Sequence, residues 1–451
     1  MTTGSMFCDQ CEQTFRGKAC TSMGVCGKDP DVESLQKILL YGLKGMAAYK
    51  HHARRLGKTD PEIDAFVEEA LFATVTNVNF DVNSLLQMVL ECGRMNLKTM
   101  QLLNDGHVEK LGQPGPVEIT EGIQEAAPAI LITGHDMIDL LDLLEQSKDS
   151  GVHIYTHGEM IPAHMYPELR KYPHLKGNYG GAWQDQRDEF ERFGGVILAT
   201  TNCVLIPRTE NTYLVRFFTT RATAVPGAVQ LKGNDFSAVI QRTKEVGPVK
   251  PTATKNNFIG FHWTTILSLA DKIVAAVQAG KIKHFFVIGG CDGAEIGRNY
   301  FTEFAQATPQ ESLILTLGCG KYRIRDYDYG TVDLGDGVVI PRLLDMGQCN
   351  DSYGAIQVAL ALAQVFECGV NDLPLTLLIS WFEQKAVAVL LTLLHLGVKG
   401  IRLGPALPAF ITPNVMDILQ EQYDLGPIGF NAQADVAEIM AEEDSGELET
   451  V

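Results

Sequence analysis

Seven residues able to bind metal each come directly after a short apolar run of the kind that forms a buried strand. That regularity limits the fold more than anything else in the chain. His135 follows AILITG, Glu159 follows HIYTHG, Cys203 follows VILATTN and Cys291 follows FFVIGG. Cys319 follows LILTLG, Cys349 follows RLLDMGQ and Glu383 follows LTLLISWF. Open α/β sheets place ligands at the carboxyl ends of parallel strands, so such a chain gathers all seven at one edge. Thiolates suit iron–sulfide, while imidazole and carboxylate suit harder iron–oxo positions. The set therefore suits a large iron–sulfur–oxygen cluster. Taken singly, each residue has a plainer reading: a hydrogen-bonded loop histidine, an inert buried thiol, a glutamate in a first helical turn. The coincidence of all seven outweighs those readings, and Gly289, Gly290, Gly318, Gly320 and Gly347 beside them permit close backbone approach. Cys92 and Cys368 lie in helical patterns instead and are read as structural.

The N-terminal stretch carries a second thiolate set. Cys8, Cys11, Cys20 and Cys26 form C-x2-C-x8-C-x5-C, a four-thiolate site that fits an iron–sulfur cluster better than zinc, which usually shows two paired knuckles. Residues 31–104 then read as three amphipathic helices joined by short connections. The second of these opens at Asp60-Pro61 and the third at Asp81, ending at Asn104-Asp105-Gly106. From about 115 onward short Val-, Ile- and Leu-rich strands alternate with helices, as in parallel βαβ units. The Pro- and Lys-rich passage Val246 to Lys255 marks a boundary. The expectation is an α/β protein: an N-terminal cysteine motif with a three-helix bundle (1–114), then two Rossmann-like domains (115–255 and 256–451). Neither half carries a complete G-x-G-x-x-G after a strand, so nicotinamide binding has no support.

A formal net charge of −18 with no basic stripe argues against nucleic acid and anionic membranes as partners. The longest largely apolar stretch, Ala386 to Val398, is too short to span a bilayer, and no signal peptide is visible. A cytosolic location is expected, where ten cysteines read as metal or redox ligands rather than disulfides. The acidic tail 441–451 reads as a solvated, frayed end.

The stretches FCDQCEQT, TGHDM, HGEMIPAHMYPELRKYPHLKGNYG, TNCVL, GGCDGAEIGRNYFTEF, LGCGKYR, DMGQCNDSYGA and WFEQKAVAVLL span nearly the whole chain. In them the chain closely resembles the hybrid-cluster or prismane proteins, which carry the name hydroxylamine reductase. The resemblance implies a hybrid [4Fe-2O-2S] cluster held by His135, Glu159, Cys203, Cys291, Cys319, Cys349 and Glu383, with Cys291 as a persulfide in the family. It also implies a [4Fe-4S] cluster on Cys8, Cys11, Cys20 and Cys26, since their spacing is similar to the compact variants rather than the [2Fe-2S] ones. The interval from Cys26 to His135 is about one helical bundle shorter than in the longer members, so the chain resembles the short class.

The activity implied is two-electron reduction of hydroxylamine to ammonia and water, with electrons from an external donor protein. Glu383, Glu159, Lys385 and His135 are the catalytic candidates, and Lys385 and His157 the candidate proton donors. Nitric oxide or peroxide as substrate, or a non-catalytic sensor or electron carrier, are the competing functions. A nickel-iron carbon monoxide dehydrogenase is the more distant one.

Overall fold

The computed structural model describes residues 5–445, and the acidic tail lies for the most part outside them. The chain forms two compact units. Among the described residues, one comprises 5–106 with 363–431, the other 107–362 with 432–445.

The second unit is organised by an eight-stranded sheet in the order β7-β6-β5-β2-β3-β4-β1-β8. Its strands are β1 (Val117–Glu121), β2 (Ala129–Thr133), β3 (His153–His157), β4 (Leu175–Asn178), β5 (Val196–Ala199), β6 (Phe217–Thr220), β7 (Val229–Leu231) and β8 (Lys255–Ile259). Neighbours run parallel except β8, which is antiparallel to β1. β2 and β5 are buried at every residue. That explains their unbroken apolar runs: a parallel sheet covered on both faces needs no polar alternation. Ile130, Ile132, Ile154 and Leu198 pack on one face with Leu140 and Leu144 of the helix Met137–Ser147. Leu131, Tyr155 and Ile197 pack on the other with Phe190 and Phe193.

The same unit holds β9 (His284–Gly290), β10 (Ser312–Thr316) and β13 (Leu343–Asp345), with β10 parallel to both others. A hairpin of β11 (Thr331–Asp333) and β12 (Val339–Pro341) precedes β13. The passage 260–279 forms two helices, Trp263–Ser268 and Ala270–Gln278, separated at Leu269.

The first unit contains the three expected N-terminal helices, Pro30–Arg55, Pro61–Ala73 and Val82–Leu111. Asp29 and Asp60 accept the Val32 and Glu62 amides, and Asp81 accepts from Ser84 N. These aspartates satisfy first-turn donors and fix where each helix begins. The third helix runs through Gly106 instead of stopping there. A Cβ at Gly106 would lie 2.9 Å from Leu56 Cβ, so the glycine serves close packing rather than termination.

Later in the chain the unit adds parallel β14 (Leu375–Ser380), β15 (Ile401–Gly404) and β16 (Gly426–Pro427), with the helix Gln384–His395. That helix lies against the long N-terminal helices. Asn96 Nδ2 donates to Ala388 O at 3.1 Å and Thr392 Oγ1 to Gly93 O at 3.0 Å. Among the described residues no helix is long and apolar enough to cross a membrane. The α/β class, parallel sheets and helical N-terminal region are those expected from the sequence.

Gly93 makes this packing testable, because a Cβ there would meet Leu391 O at 2.0 Å. Alanine ordinarily favours a helix over glycine by about 1 kcal/mol. Here the backbone collision should reverse the sign and destabilise by on the order of 1–3 kcal/mol. A lower urea midpoint for Gly93→Ala is expected; an equal or higher one would refute the close approach.

Candidate metal centre

Six of the seven strand-end residues lie in the second unit, each in the segment after its strand: His135 after β2, Cys203 after β5 and Cys291 after β9 in loops, and Glu159 after β3, Cys319 after β10 and Cys349 after β13 in short 3-10 turns. Three of them converge. Donor atoms of His135, Glu159 and Cys349 all lie within 4.8 Å of one another. His135 Nε2 is 3.7 Å from Glu159 Oε2 and 3.5 Å from Cys349 Sγ, and Cys349 N donates to Glu159 Oε2 at 2.9 Å.

His135 Nδ1 is 2.9 Å from the Asn202 carbonyl and 3.1 Å from Thr201 Oγ1. A carbonyl only accepts, so Nδ1 carries the proton and Nε2 presents a lone pair. This is the usual way a neighbour sets the tautomer of a metal-binding histidine. Gln348 ties the loops together, its side-chain amide donating to Glu159 O at 2.7 Å and His135 O at 3.3 Å. Gly347, at φ +130°, leaves room where a Cβ would sit 2.1 Å from Asp351 Oδ2.

The remaining three thiols belong to the same neighbourhood. Burial pushes the Cys319 thiol well above its ordinary range, and the charges of Glu159, Cys203 and Cys291 push it further. The Cys291 carbonyl accepts from Trp183 Nε1 at 2.9 Å, and the Cys203 carbonyl from Gln186 Nε2 at 2.7 Å. So many donors of one sign close together favour their ionised forms only around a cation. The donor set is mixed S, N and O, and these residues fit a bound iron–sulfur–oxygen cluster on chemistry.

Supporting groups absent from the sequence reading surround them. Lys321 is fully buried, and its ammonium donates to Asp345 Oδ1 and Gly347 O, both at 2.7 Å. Burial pushes Asp351 up to about 7, while Gln348 N donates to it at 2.6 Å. His157, a candidate proton donor, is buried with both ring nitrogens engaged. Nδ1 is 3.1 Å from Thr133 Oγ1 and Nε2 2.8 Å from Glu189 Oε2. That arrangement orients the Glu159 loop and leaves no ring nitrogen for substrate.

In the first unit Glu383 caps the helix Gln384–His395, its carboxylate accepting from Lys385 N at 3.2 Å. The buried Lys385 ammonium lies 3.8 Å from Glu383 Oε1. Cys8 and Cys20 face each other across an antiparallel bridge, Cys20 N donating to Cys8 O at 2.8 Å. Cys11 is half-buried and Cys26 exposed. Burial pushes the Cys8 thiol up. The fully buried Lys28, which the sequence did not single out, donates to Glu33 at 2.8 Å and to Cys8 Sγ at 3.7 Å. Cys92 is buried within a helix, its thiol pushed up to about 12 by burial, as an inert core cysteine would be.

The Prismane/CO dehydrogenase family matches residues 6–89 and 81–437, and the chain belongs to that family. A hydroxylamine reductase of Moorella thermoacetica is 55% identical over 96% of this chain and 100% of its own length. One from Methanothermobacter thermautotrophicus is 47% identical over 96% of this chain and 100% of its own. Among solved structures, carbon monoxide dehydrogenase IV from Carboxydothermus hydrogenoformans superposes with a TM-score of 0.78 at 15% identity, covering 99% of this chain and 94% of that one. At that identity the likeness is one of fold.

On the same 3-10 turn as Glu159 (Gly158–Met165), His164 is buried and bonded to Thr156 Oγ1 at 3.0 Å, and burial lowers its pKa to about 4. An unfolded histidine titrates near about 6.5. As pH falls between these values the unfolded chain takes a proton that the folded one refuses, so stability is lost, by about 3 kcal/mol across the window. His164→Gln should flatten that acid limb in urea midpoints read at several pH values. Parallel limbs for wild type and variant would show that His164 does not contribute.

Proposed function

We propose that this protein is a hydroxylamine reductase, an oxidoreductase carrying a hybrid [4Fe-2O-2S] cluster and a [4Fe-4S] cluster. The observation that carries the reading is the convergence of His135, Glu159 and Cys349, with three further cysteines at neighbouring strand ends. It occurs in a chain that matches hydroxylamine reductases along their whole length. His135, Glu159, Cys203, Cys291, Cys319 and Cys349 would hold the hybrid cluster. Glu383 joins them on the sequence resemblance, which also suggests a persulfide at Cys291. Cys8, Cys11, Cys20 and Cys26 would hold the second cluster, which takes electrons from an external donor protein. When bound, the hybrid cluster supplies iron that polarises an N–O bond and holds reducing electrons.

The balanced reaction is hydroxylamine plus two electrons and two protons giving ammonia and water. Around it the chain's own groups have defined tasks. Asn202 O and Thr201 hold the His135 ring so that Nε2 faces Glu159 and Cys349. Gln348 keeps the His135 and Glu159 loops at a fixed separation. Lys385 is the proton donor we assign, an ammonium buried beside Glu383 that can release a proton at Nζ as the N–O bond breaks.

The test is anaerobic turnover with a reduced viologen dye on protein holding both clusters. One ammonia should form per hydroxylamine consumed. Loss of an outer-sphere partner of a metal ligand commonly costs about 10–100-fold, so His135→Asn and Cys349→Ser should each lose at least about 100-fold in kcat/KM. Cys368→Ser should leave it unchanged. A fully assembled protein that forms no ammonia would sink the reading, and nitric oxide consumption under the same conditions would replace it.

A further inference from the structure

Within the second unit a cavity of about 150 Å³ lies among Arg325, Tyr329, Asp345, Asn257, Phe258 and Tyr327. Phe258 and Tyr327 are exposed, so the cavity reaches the surface on that side. Its inner wall is polar and more than nine-tenths buried. Arg325 donates through Nη2 to Glu121 at 2.8 Å and lies over the Tyr322 ring at 3.9 Å, while its Nε and Nη1 have no partner among the described residues. The Tyr329 hydroxyl has none either. Asp345 uses Oδ1 for Lys321 and for Gly347 N, leaving Oδ2 unpartnered. Buried donors and acceptors without partners are costly. Four such atoms, on three side chains of one cavity wall, mark a place shaped to meet a polar molecule.

Charge narrows the class. Arg325 is balanced by Glu121 and Asp345 by Lys321, while the exposed Asp328 adds a carboxylate to the lining. An anion gains nothing net from Arg325, meets the Asp328 carboxylate and has no proton to give Asp345 Oδ2; a cation gains nothing net from Asp345 and has no lone pair to accept from Arg325 and Tyr329. A neutral molecule with both a donor and a lone pair suits all the wall groups. It accepts from Arg325 and Tyr329 and donates to Asp345 Oδ2. The volume admits only a few non-hydrogen atoms, at roughly 30 Å³ for each water-sized molecule.

The wall is also one side chain from the candidate metal centre. Tyr322 Oη donates to the carbonyl of Gly158, next to Glu159, at 2.8 Å. Lys321, two residues beyond Cys319, bridges Asp345 and Gly347 O.

We propose that this cavity is a holding site for a small neutral hydrogen-bonding molecule, and, resting on the function proposed above, that the molecule is hydroxylamine on its way to the metal centre. Tyr329→Phe removes one unpartnered hydroxyl and no native contact. It should raise KM for hydroxylamine about five- to tenfold, the value of one hydrogen bond, with kcat unchanged and a urea midpoint no lower than that of wild type. Crystals of the oxidised holoprotein soaked in hydroxylamine, with no electron donor, should show it between Arg325, Tyr329 and Asp345. Formamide should displace it and the isosteric anion formate should not. An unchanged KM, water alone in the soaked cavity, or displacement by formate but not formamide would overturn the proposal. If wild type fails to reduce hydroxylamine but the soaked cavity is filled, the reductase reading falls and the binding site stands.

Discussion

One side-chain amide holds the metal-binding edge in register. Gln348 reaches from the loop after β13 to the carbonyls of His135 and Glu159, more than 180 residues earlier in the chain. Without it, three loops that share only their position at strand ends would each settle separately. Buried loops are rare because their backbone groups need partners. Here the partners come from neighbouring loops, so satisfying hydrogen bonds and aligning donor atoms are one event. Asn202 O does the same for the His135 ring, and Asp351 for the backbone of Gln348 itself.

The residues legible in advance were those whose type and local pattern both carried information. A thiol or imidazole after an unbroken apolar run announces a strand end whatever lies across from it, which is why six candidates fall just after observed strands. Helix starts were legible for the same reason, since an aspartate cap acts on amides two or three residues away. The residues that orient the site were not. Lys321 meets Asp345 across 24 positions, and Arg325 meets Glu121 across 204. No window of sequence contains both partners, and a lysine or arginine alone reads as solvated surface. Gly106 was misread for a related reason. Its local signature is that of a helix stop, and the side chain it accommodates, Leu56, lies in another segment.

Buried ionic groups are used in the same way in the two units. Lys28 and Glu33 form a fully buried pair whose ammonium also reaches Cys8 Sγ. Lys321 and Asp345 form another, whose ammonium reaches the Gly347 carbonyl. Such pairs contribute little net stability, because desolvation offsets attraction, so their retention calls for another reason. Each places a fixed positive charge beside a cysteine-bearing loop. A thiolate cluster carries negative charge that the low-dielectric interior would otherwise magnify, and a lysine held in place by a carboxylate lowers that cost without itself becoming a ligand.

The same physics separates the polar cavity from the metal centre it adjoins. At the centre, donors of one sign are crowded together and only a cation resolves the repulsion. A few side chains away the buried charges of the wall, Arg325 and Asp345, are each cancelled by a partner, and what remains there is hydrogen-bonding capacity. A neutral substrate loses little hydration in entering such a cavity, because Arg325, Tyr329 and Asp345 replace the water it leaves behind. Selection by cancelled charge followed by chemistry at concentrated charge needs no moving part, only the two ion pairs, Arg325–Glu121 and Lys321–Asp345, that stand between the sites.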